Sequence, residues 1–272
     1  KGSPTGYRTH LPEMLDGKPL GNDLRSQRMP SPAASLFGYL NWTFAETYDM
    51  LYRPRGWWWR FSINMARYWL DLPFRFTSRK DRRLTLGNAL TGGLRLALNK
   101  KAVPMWLKSP LAELVEQDGR VVGAVITRDG RPYRIRARKG VILAAGGFDK
   151  DQAKRDAYSP LYPKAQVSGG VTSNTGDALV AGLSMGAGTM NLQSAWAAPV
   201  FHVPGEDRGR LCTIERALPG CIMVNQSGTR YLNEAASYHV TGQEMARREA
   251  EHGDASPSWM VFDYRYRHLF PM

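Results

Sequence analysis

A run of ten residues at positions 139–148, KGVILAAGGF, constrains the fold more than any other part of this chain. Four apolar residues, Val141 to Ala144, lead directly into Gly146 and Gly147, which is typical of a parallel strand buried on both faces. Glycines at the end of such a strand let the backbone approach a ligand closely. The run therefore predicts an α/β nucleotide-binding domain. Because G-x-G-x-x-G occurs nowhere in the chain, we expect the loop that binds the pyrophosphate to lie outside it.

Composition narrows the class of protein. The chain has 272 residues, 43% of them hydrophobic, which suffices for one or two domains. Its net charge of +13 suits nucleic acid, an anionic membrane or an anionic ligand. No zinc-finger, homeodomain or RNA-binding motif accompanies the charge, which disfavours nucleic acid. Cys212 and Cys221 are too few for a disulfide framework and lack metal-site spacing, which favours a cytoplasmic protein without a bound metal.

A segment rich in tryptophan and arginine, residues 36–83, is the most unusual part of the first half. Apolar residues recur at helical spacing over 36–52 and 57–72. The range Trp57–Trp69 contains four of the eight tryptophans, and arginines flank it. Such a composition suits the bilayer interface, so peripheral membrane contact through this range is one interpretation. Packing against the remainder of its own polypeptide, or against a sister subunit, is the more ordinary alternative.

Further along the chain, the pattern predicts a helix at 86–99 with Thr85 as its N-cap, and then an antiparallel meander. The strands of the meander, which spans about 103–137, are expected at 103–107, 111–117, 121–127 and 133–137. After Phe148 the sequence predicts a glycine-bearing turn with a helix, two strands and a polar helix, at 173–187, 222–224, 259–262 and 242–251. We expect a domain boundary near Asp149.

Two glycine-bearing segments are candidates for a ligand site. The AAGG tip at 144–147 and the NTGD turn at 174–177 both offer exposed backbone donors, as contact with a flat ring or a phosphate requires. Alone, each is a weak signal, because a glycine turn before a helix is usually a simple cap. Their order and spacing, with the meander before them and GCIMVNQSGTRYLNE after them, are much more specific.

With these motifs together, the chain resembles the flavoprotein subunits of the fumarate reductase and succinate dehydrogenase superfamily, and within it the 3-ketosteroid dehydrogenases. The segments that carry the resemblance are RRLTLGNAL, DGRVVGAV, KGVILAAGGFD, NTGDAL, PGCIMVNQSGTRYLNEAASY and WMVFDYRYR. The resemblance implies an internal fragment of an FAD-dependent oxidoreductase acting on CH–CH groups. Its fold would be α/β plus α+β, with part of a Rossmann-like FAD-binding domain over 1–148 and a fumarate-reductase-type substrate (capping) domain over 149–272. It also implies FAD contacts from these residues: Leu111, Ala145, Gly146, Gly147, Asn174, Thr175, Gly176 and Asp177.

The substrate positions separate the branches of this superfamily. Fumarate reductases carry a proton-donating arginine and a carboxylate-binding histidine at the substrate site. The resemblance places Tyr238 and Ala198 at those two positions in this chain. Each charge-assisted interaction is worth about 1.5 to 3 kcal/mol, so a dicarboxylate is a poor candidate. The residues expected to line the site are apolar and suit a large neutral substrate. They are Trp196, Ala198, Pro199 and Phe201.

Tyr238 stands where ketosteroid 1-dehydrogenases, which the chain resembles in NEAASY, have a tyrosine that acts as the catalytic base. A tyrosine free in water has a pKa of about 10, so a hydrogen bond or the field of an oxidised flavin must stabilise its anion. We expect Asn233 and Glu234 to hold the loop that presents Tyr238. The family's partner tyrosine falls near Tyr7, but His10 occupies the second aromatic position, which is a departure from the pattern.

Three functions follow from these observations. The first is dehydrogenation of a steroid-like ketone next to its carbonyl, with Tyr238 taking a proton and flavin N5 a hydride, which belongs to steroid and lipid metabolism. The second is a fumarate-reductase-like reductase of an enone or unsaturated acid, which Ala198 and Tyr238 disfavour. The third is a membrane-surface or interaction module with a degenerate flavin site. The first two would act in the cytoplasm, or peripherally on the membrane.

Overall fold

The computed structural model describes residues 11–30, 35–159, 168–206 and 208–270. The chain divides into two compact units that join between Met105 and Trp106. The boundary expected near Asp149 separates a cofactor-binding from a substrate-binding part, and it stays a prediction. Among the described residues, no helix is long and apolar enough to cross a bilayer.

The first unit is mainly helical. Its helices are α1 (Asn22–Ser26), α2 (Phe44–Tyr52), α3 (Trp57–Leu70), α4 (Leu72–Arg75) and α5 (Leu86–Lys100). Its strands are two residues long and form two antiparallel pairs. They are β1 (Leu15–Asp16) with β4 (Arg83–Leu84), and β2 (Ser35–Leu36) with β3 (Leu40–Asn41).

The start of α2 differs from the prediction. Its first turn is a capping box: Glu46 N donates to Thr43 Oγ1 at 3.2 Å, and Thr43 N donates to Glu46 Oε2 at 2.8 Å. The helix therefore begins at Phe44, and the prediction of helix from residue 36 was wrong because β2 and β3 occupy that stretch. The predicted helix at 86–99 is confirmed, although the side chain of Thr85 makes no capping hydrogen bond.

Two small hydrophobic clusters hold the first unit together. One contains Leu20, Leu24, Phe74, Leu84 and Ala89. The other joins Leu40, Trp42 and Tyr68, with Phe61 and Met65 packed against them. Three of these residues, Phe61, Met65 and Tyr68, lie on one side of α3. This inner side therefore fixes α3 to the unit.

The second unit begins with the predicted meander. Strands β5 (Leu111–Gln117), β6 (Arg120–Arg128) and β7 (Arg131–Arg136) pair antiparallel in sequence order. Both of its connections are Asp-Gly turns with positive φ at each residue, as two-residue hairpins require. The strand expected at 103–107 is wrong. Val103 N instead donates to Leu98 O at 3.0 Å, closing the end of α5, and Pro104 has no N–H to give to a strand partner.

The buried strand expected at Val141–Ala144 is also wrong for this structure. The stretch has no strand pairing, and Ile142 is 91% exposed. A strand forms only where a neighbour satisfies its backbone donors and acceptors. The described part of the chain offers none to this stretch, so no Rossmann-like parallel sheet forms within it.

The remaining elements of the second unit lie after residue 148. The helices are α6 (Gln152–Tyr158), α7 (Asp177–Ser184), α8 (Tyr238–His252) and α9 (Tyr264–Leu269). The strands are β8 (Val200–Phe201), β9 (Arg210–Leu211), β10 (Cys221–Val224) and β11 (Trp259–Phe262). They pair antiparallel as β8 with β9 and β10 with β11. These positions confirm the helix predicted within 173–187 and both predicted strands.

Helix α8 begins four residues before the predicted start at Gly242. Ser237 is its N-cap, and the Ser237 side chain accepts a hydrogen bond from Val240 N at 3.4 Å. Tyr238 is therefore the first residue of a 15-residue helix rather than part of the loop before it.

Candidate functional site

The structure brings the two glycine-bearing segments into direct contact. Gly176 N donates to Gly147 O at 3.1 Å, and Lys150 N donates to Asn174 O at 3.0 Å. These bonds join main-chain groups that are 29 and 24 residues apart in the sequence. The residues predicted from the two motifs therefore form one continuous backbone surface, with α7 starting immediately beside it at Asp177.

Two glycines in this surface leave no room for a side chain. Gly146 has φ +85°, and a Cβ there would lie 2.7 Å from Asn174 Oδ1. Gly176 has φ +77°, and its Cβ would lie 2.8 Å from the Cβ of Phe148. Both positions therefore require glycine for conformation and for space. Ala145, Gly146 and Gly147 are exposed, so the bare backbone is open to a ligand.

Polar side chains hold this backbone surface in place. Asn174 Nδ2 donates to Asp149 Oδ1 at 2.9 Å, and Ser168 Oγ donates to the other oxygen of the same carboxylate. Thr175 Oγ1 donates to Asp177 Oδ1 at 2.8 Å. Asn174 and Thr175 thus use their side chains to shape the turn. Leu111 starts β5, which packs against α7, so it lies on a neighbouring element.

The predicted base and the predicted apolar wall also meet. The rings of Tyr238 and Trp196 are stacked, with centroids 6.2 Å apart and planes 21° from parallel. Trp196 is 81% exposed. One turn further along α8, a Cβ on Gly242 would lie 2.7 Å from the carbonyl carbon of Ala197. The helix therefore packs directly on the main chain next to Ala198, which fixes both aromatic rings relative to each other.

The other residues of the predicted wall differ in exposure. Ala198 and Phe201 are half-buried, whereas Pro199 is buried. Pro199 O accepts a hydrogen bond from Cys212 N at 2.9 Å, which ties it to the adjoining strand pair. Pro199 thus lies behind the surface that Trp196 and Ala198 present.

Glu234 and Asn233 behave as expected for residues that hold the loop before Tyr238. Glu234 Oε1 accepts from Met223 N at 2.8 Å, and Glu234 forms an ion pair with Arg230 at 2.7 Å. Burial acts to raise the pKa of Glu234, but the bonds from Arg230 and Met223 N outweigh it and lower the pKa below its ordinary value. Asn233 Oδ1 accepts from Ala235 N at 3.0 Å.

Sequence reasoning missed Arg216. The Arg216 side chain is 2% exposed and donates to Cys212 O at 3.1 Å, to Ala236 O at 2.8 Å and to Glu234 O. A buried guanidinium thus gathers three main-chain carbonyls next to Tyr238. No local pattern could have shown this, because two of the carbonyls are about twenty residues away. Tyr7 and His10, the other expected aromatic positions, lie outside the described residues.

Comparison with known proteins adds to this geometry. A 3-oxosteroid 1-dehydrogenase of Mycolicibacterium smegmatis is 31% identical over 277 residues, which cover 98% of this chain and 47% of that protein. A 3-oxosteroid 1-dehydrogenase of Comamonas testosteroni is 34% identical over 297 residues, which cover 100% of this chain and 48% of that protein. The chain thus spans about half the length of these curated relatives.

Solved structures support the same relationship. A 3-ketosteroid delta1-dehydrogenase from Sterolibacterium denitrificans, in complex with 1,4-androstadiene-3,17-dione, superposes with a TM-score of 0.89 at 39% identity. The match covers 96% of this chain and 48% of that chain. An open conformation of a flavocytochrome c3 fumarate reductase has a TM-score of 0.50 at 24% identity, and the match covers 66% of this chain and 30% of that chain. The mixed helix and strand fold is therefore similar to the FAD-binding folds of both proteins.

The described residues fit an FAD group. Gly146 and Gly176 form a cradle that a Cβ would fill, and the exposed main chain from Ala145 to Gly147 can donate to a flavin or a phosphate. The described part of the chain has no cluster of side chains suited to a metal ion. Residues 7–269 match the family model described as FAD binding domain. The chain belongs to this FAD binding domain family, and its cofactor is FAD.

Proposed function

We propose that this chain carries part of the active site of an FAD-dependent dehydrogenase that acts on a steroid-like ketone beside its carbonyl. The observation that carries the proposal is the stacking of Tyr238 on the exposed ring of Trp196. It supports a tyrosine hydroxyl against an apolar wall at a position where a dicarboxylate enzyme would need cations. The relatives named 3-oxosteroid 1-dehydrogenase support the same reaction.

In this mechanism Tyr238 takes a proton from a carbon next to the substrate carbonyl. Its hydroxyl has no hydrogen-bond partner among the described residues, so it is available to the substrate. Tyr238 is also the first residue of α8, and the positive end of a helix favours a nearby anion by about 0.3 to 1 kcal/mol. The helix thus contributes to stabilising the tyrosinate form of Tyr238, which accepts the proton and becomes a neutral hydroxyl in this step. When FAD is bound, its oxidised flavin supplies the hydride acceptor.

The backbone surface of Ala145–Gly147 and Asn174–Asp177, with Leu111 nearby, is the proposed FAD contact. The exposed N–H groups of Ala145–Gly147 would orient the cofactor, while the Asp149 carboxylate holds the turn from behind. Trp196 and Ala198 would form the apolar wall for the substrate, with Phe201 and the buried Pro199 supporting it. An apolar wall of this kind is suited to a ring system that lacks charge.

For the whole protein we propose an enzyme of steroid metabolism, placed in the cytoplasm or peripherally on a membrane. A steroid partitions into lipid, so a location at the membrane surface would bring substrate to the site. Residues 1–148 would then contribute to cofactor binding and 149–272 to substrate binding.

Tyr238→Phe in the FAD-loaded protein tests the catalytic assignment. Loss of a positioned general base lowers kcat by about a hundredfold to ten-thousandfold. FAD content and thermal stability should stay unchanged, because the hydroxyl has no described partner and the phenyl ring keeps its stacking on Trp196. Tyr264→Phe is a matched control, since Tyr264 is 75% exposed and its ring contacts His268 edge-on. Turnover with a 3-ketosteroid that survives in Tyr238→Phe, or turnover with fumarate instead, would overturn the proposal.

A further inference from the structure

Helix α3 has a second apolar side that the described residues do not cover. Its inner side packs Phe61, Met65 and Tyr68 into the first unit. Trp59, Ile63, Ala66 and Leu70 recur at spacings of four, three and four residues, which places them in one row along the opposite side. This row is called here the outer face of α3.

The outer face is exposed along its whole length. Trp59 is 59% exposed, Ile63 47% and Leu70 74%. Trp58 and Trp69 extend the apolar surface on one side, at 58% and 54% exposure. A soluble helix normally turns polar residues outward. An apolar outer row next to tryptophans therefore indicates a surface that meets another phase or partner.

The charges around this face are predominantly basic. Residues 44–83 contain nine basic and four acidic residues. The acidic side chains already have partners: Glu46 pairs with Arg83, Asp49 with Arg60, and Asp71 with Arg82, while Asp81 accepts from Asn41 N at 3.1 Å and from Arg83 N at 2.9 Å.

Arginines without such partners border the outer face. Arg67 lies on the other edge of α3, and Arg53 and Arg55 lie just before the helix. All three are exposed and have no ion pair among the described residues. An exposed guanidinium group without an ion-pair partner can bind two phosphate oxygens at once.

The charge decides between the possible occupants. A second copy of this face would bring arginines against arginines, because the local acidic groups already have partners. An anionic phospholipid surface supplies phosphate for the arginines and acyl chains for the apolar row. Tryptophan also prefers the boundary between the lipid phosphates and the acyl chains.

We propose that the outer face of α3 docks on an anionic phospholipid bilayer, with the helix lying parallel to the membrane plane. The helix has 14 residues, so it would lie along about 21 Å of the surface. Trp59, Ile63 and Leu70 enter the acyl boundary, while Arg55 and Arg67 bind lipid phosphates. This proposal concerns the first unit and holds whether or not Tyr238 is the catalytic base.

The test is co-sedimentation of the FAD-loaded protein with vesicles of phosphatidylcholine, with or without phosphatidylglycerol. We expect strong binding only where phosphatidylglycerol is present. The double variant W59E/I63E should bind at least tenfold more weakly. R55Q and R67Q should each weaken binding about fivefold and reduce its salt dependence.

Two controls match these variants in residue type and exposure. Trp259, which is 59% exposed like Trp59, is changed to Glu, and the exposed Arg134 on β7 is changed to Gln. Both should change vesicle binding less than twofold. Binding that is indifferent to phosphatidylglycerol, or equally affected by the controls, overturns the proposal. Loss of FAD or of thermal stability in W59E/I63E overturns it too, since it would show that the outer face packs against protein.

Discussion

The contact between α8 and the main chain beside Ala198 leads to a prediction about Gly242→Ala. Helix propensity alone would have this substitution raise the free energy of unfolding, whereas the packing would have it lower that free energy. Replacing a glycine inside a helix by alanine normally stabilises a protein by about 1 kcal/mol. At Gly242, however, the new Cβ would lie 2.7 Å from the carbonyl carbon of Ala197, 2.8 Å from its Cβ and 2.9 Å from Ala198 N. Two of these three atoms belong to the main chain, so α8 itself must shift.

Overpacking of this kind costs about 1 to 3 kcal/mol. After the gain in helix propensity is subtracted, we expect Gly242→Ala to lower the free energy of unfolding by up to about 2 kcal/mol. The same shift moves Tyr238, four residues earlier on α8, away from Trp196. Because a misplacement of about 1 Å can cost roughly a hundredfold in rate, kcat should fall by at least about tenfold.

Gly93 in α5 provides the matched control. It lies in a helix interior as Gly242 does, but a Cβ there has no atom within 4 Å. Gly93→Ala should therefore stabilise the protein by about 0.5 to 1 kcal/mol and leave kcat unchanged. Urea unfolding and steady-state rates of both FAD-loaded variants provide the measurement. The reasoning is refuted if Gly242→Ala stabilises the protein as much as Gly93→Ala does.

Three further predictions concern the site and its surroundings. Asn174→Ala removes the bond to Asp149 and should lower the FAD content of the purified protein, measured by visible absorbance, without unfolding it. Arg216→Met leaves three carbonyls near Tyr238 without their donor and should lower the free energy of unfolding by about 3 kcal/mol or more, together with kcat; an unchanged urea midpoint would contradict this. Burial, helped by the nearby Glu215 charge, raises the pKa of the Cys212 thiol from 9.0 to about 12, so its contribution to stability is complete below pH 9 and falls as the pH rises towards 12. At pH 10.5 the loss is on the order of 2 kcal/mol, and Cys212→Ala should make the urea midpoint less dependent on pH above 9.

Local chemistry explains what could be predicted about the fold. The meander follows from two Asp-Gly turns between runs of β-forming residues, and its three strands lie where they were expected. The end of α5 and the start of α8 depended on single hydrogen bonds, from Val103 N and to the Ser237 side chain. Apolar periodicity does not reveal such bonds, so a strand was wrongly expected at 103–107 and the start of α8 was placed at Gly242 instead of Tyr238.

The candidate site shows the same division. The motifs around Gly146 and Gly176 carried the resemblance to an FAD-binding family, because the residues of each motif lie close together in the chain. The sequence could not show that Gly176 N bonds to Gly147 O, or that Arg216 binds the loop before Tyr238.

By itself, then, the sequence determined the family, the cofactor and the local elements, since these depend on residues close together in the chain. Only the tertiary structure decided the partners. Among the described residues, it left Val141–Ala144 without a strand to pair with, stacked Tyr238 on Trp196, and turned one apolar row of α3 outward. The physical reason is that strand pairing, ring stacking and burial each require groups from distant parts of the chain to meet, and the order of residues alone does not specify which ones do.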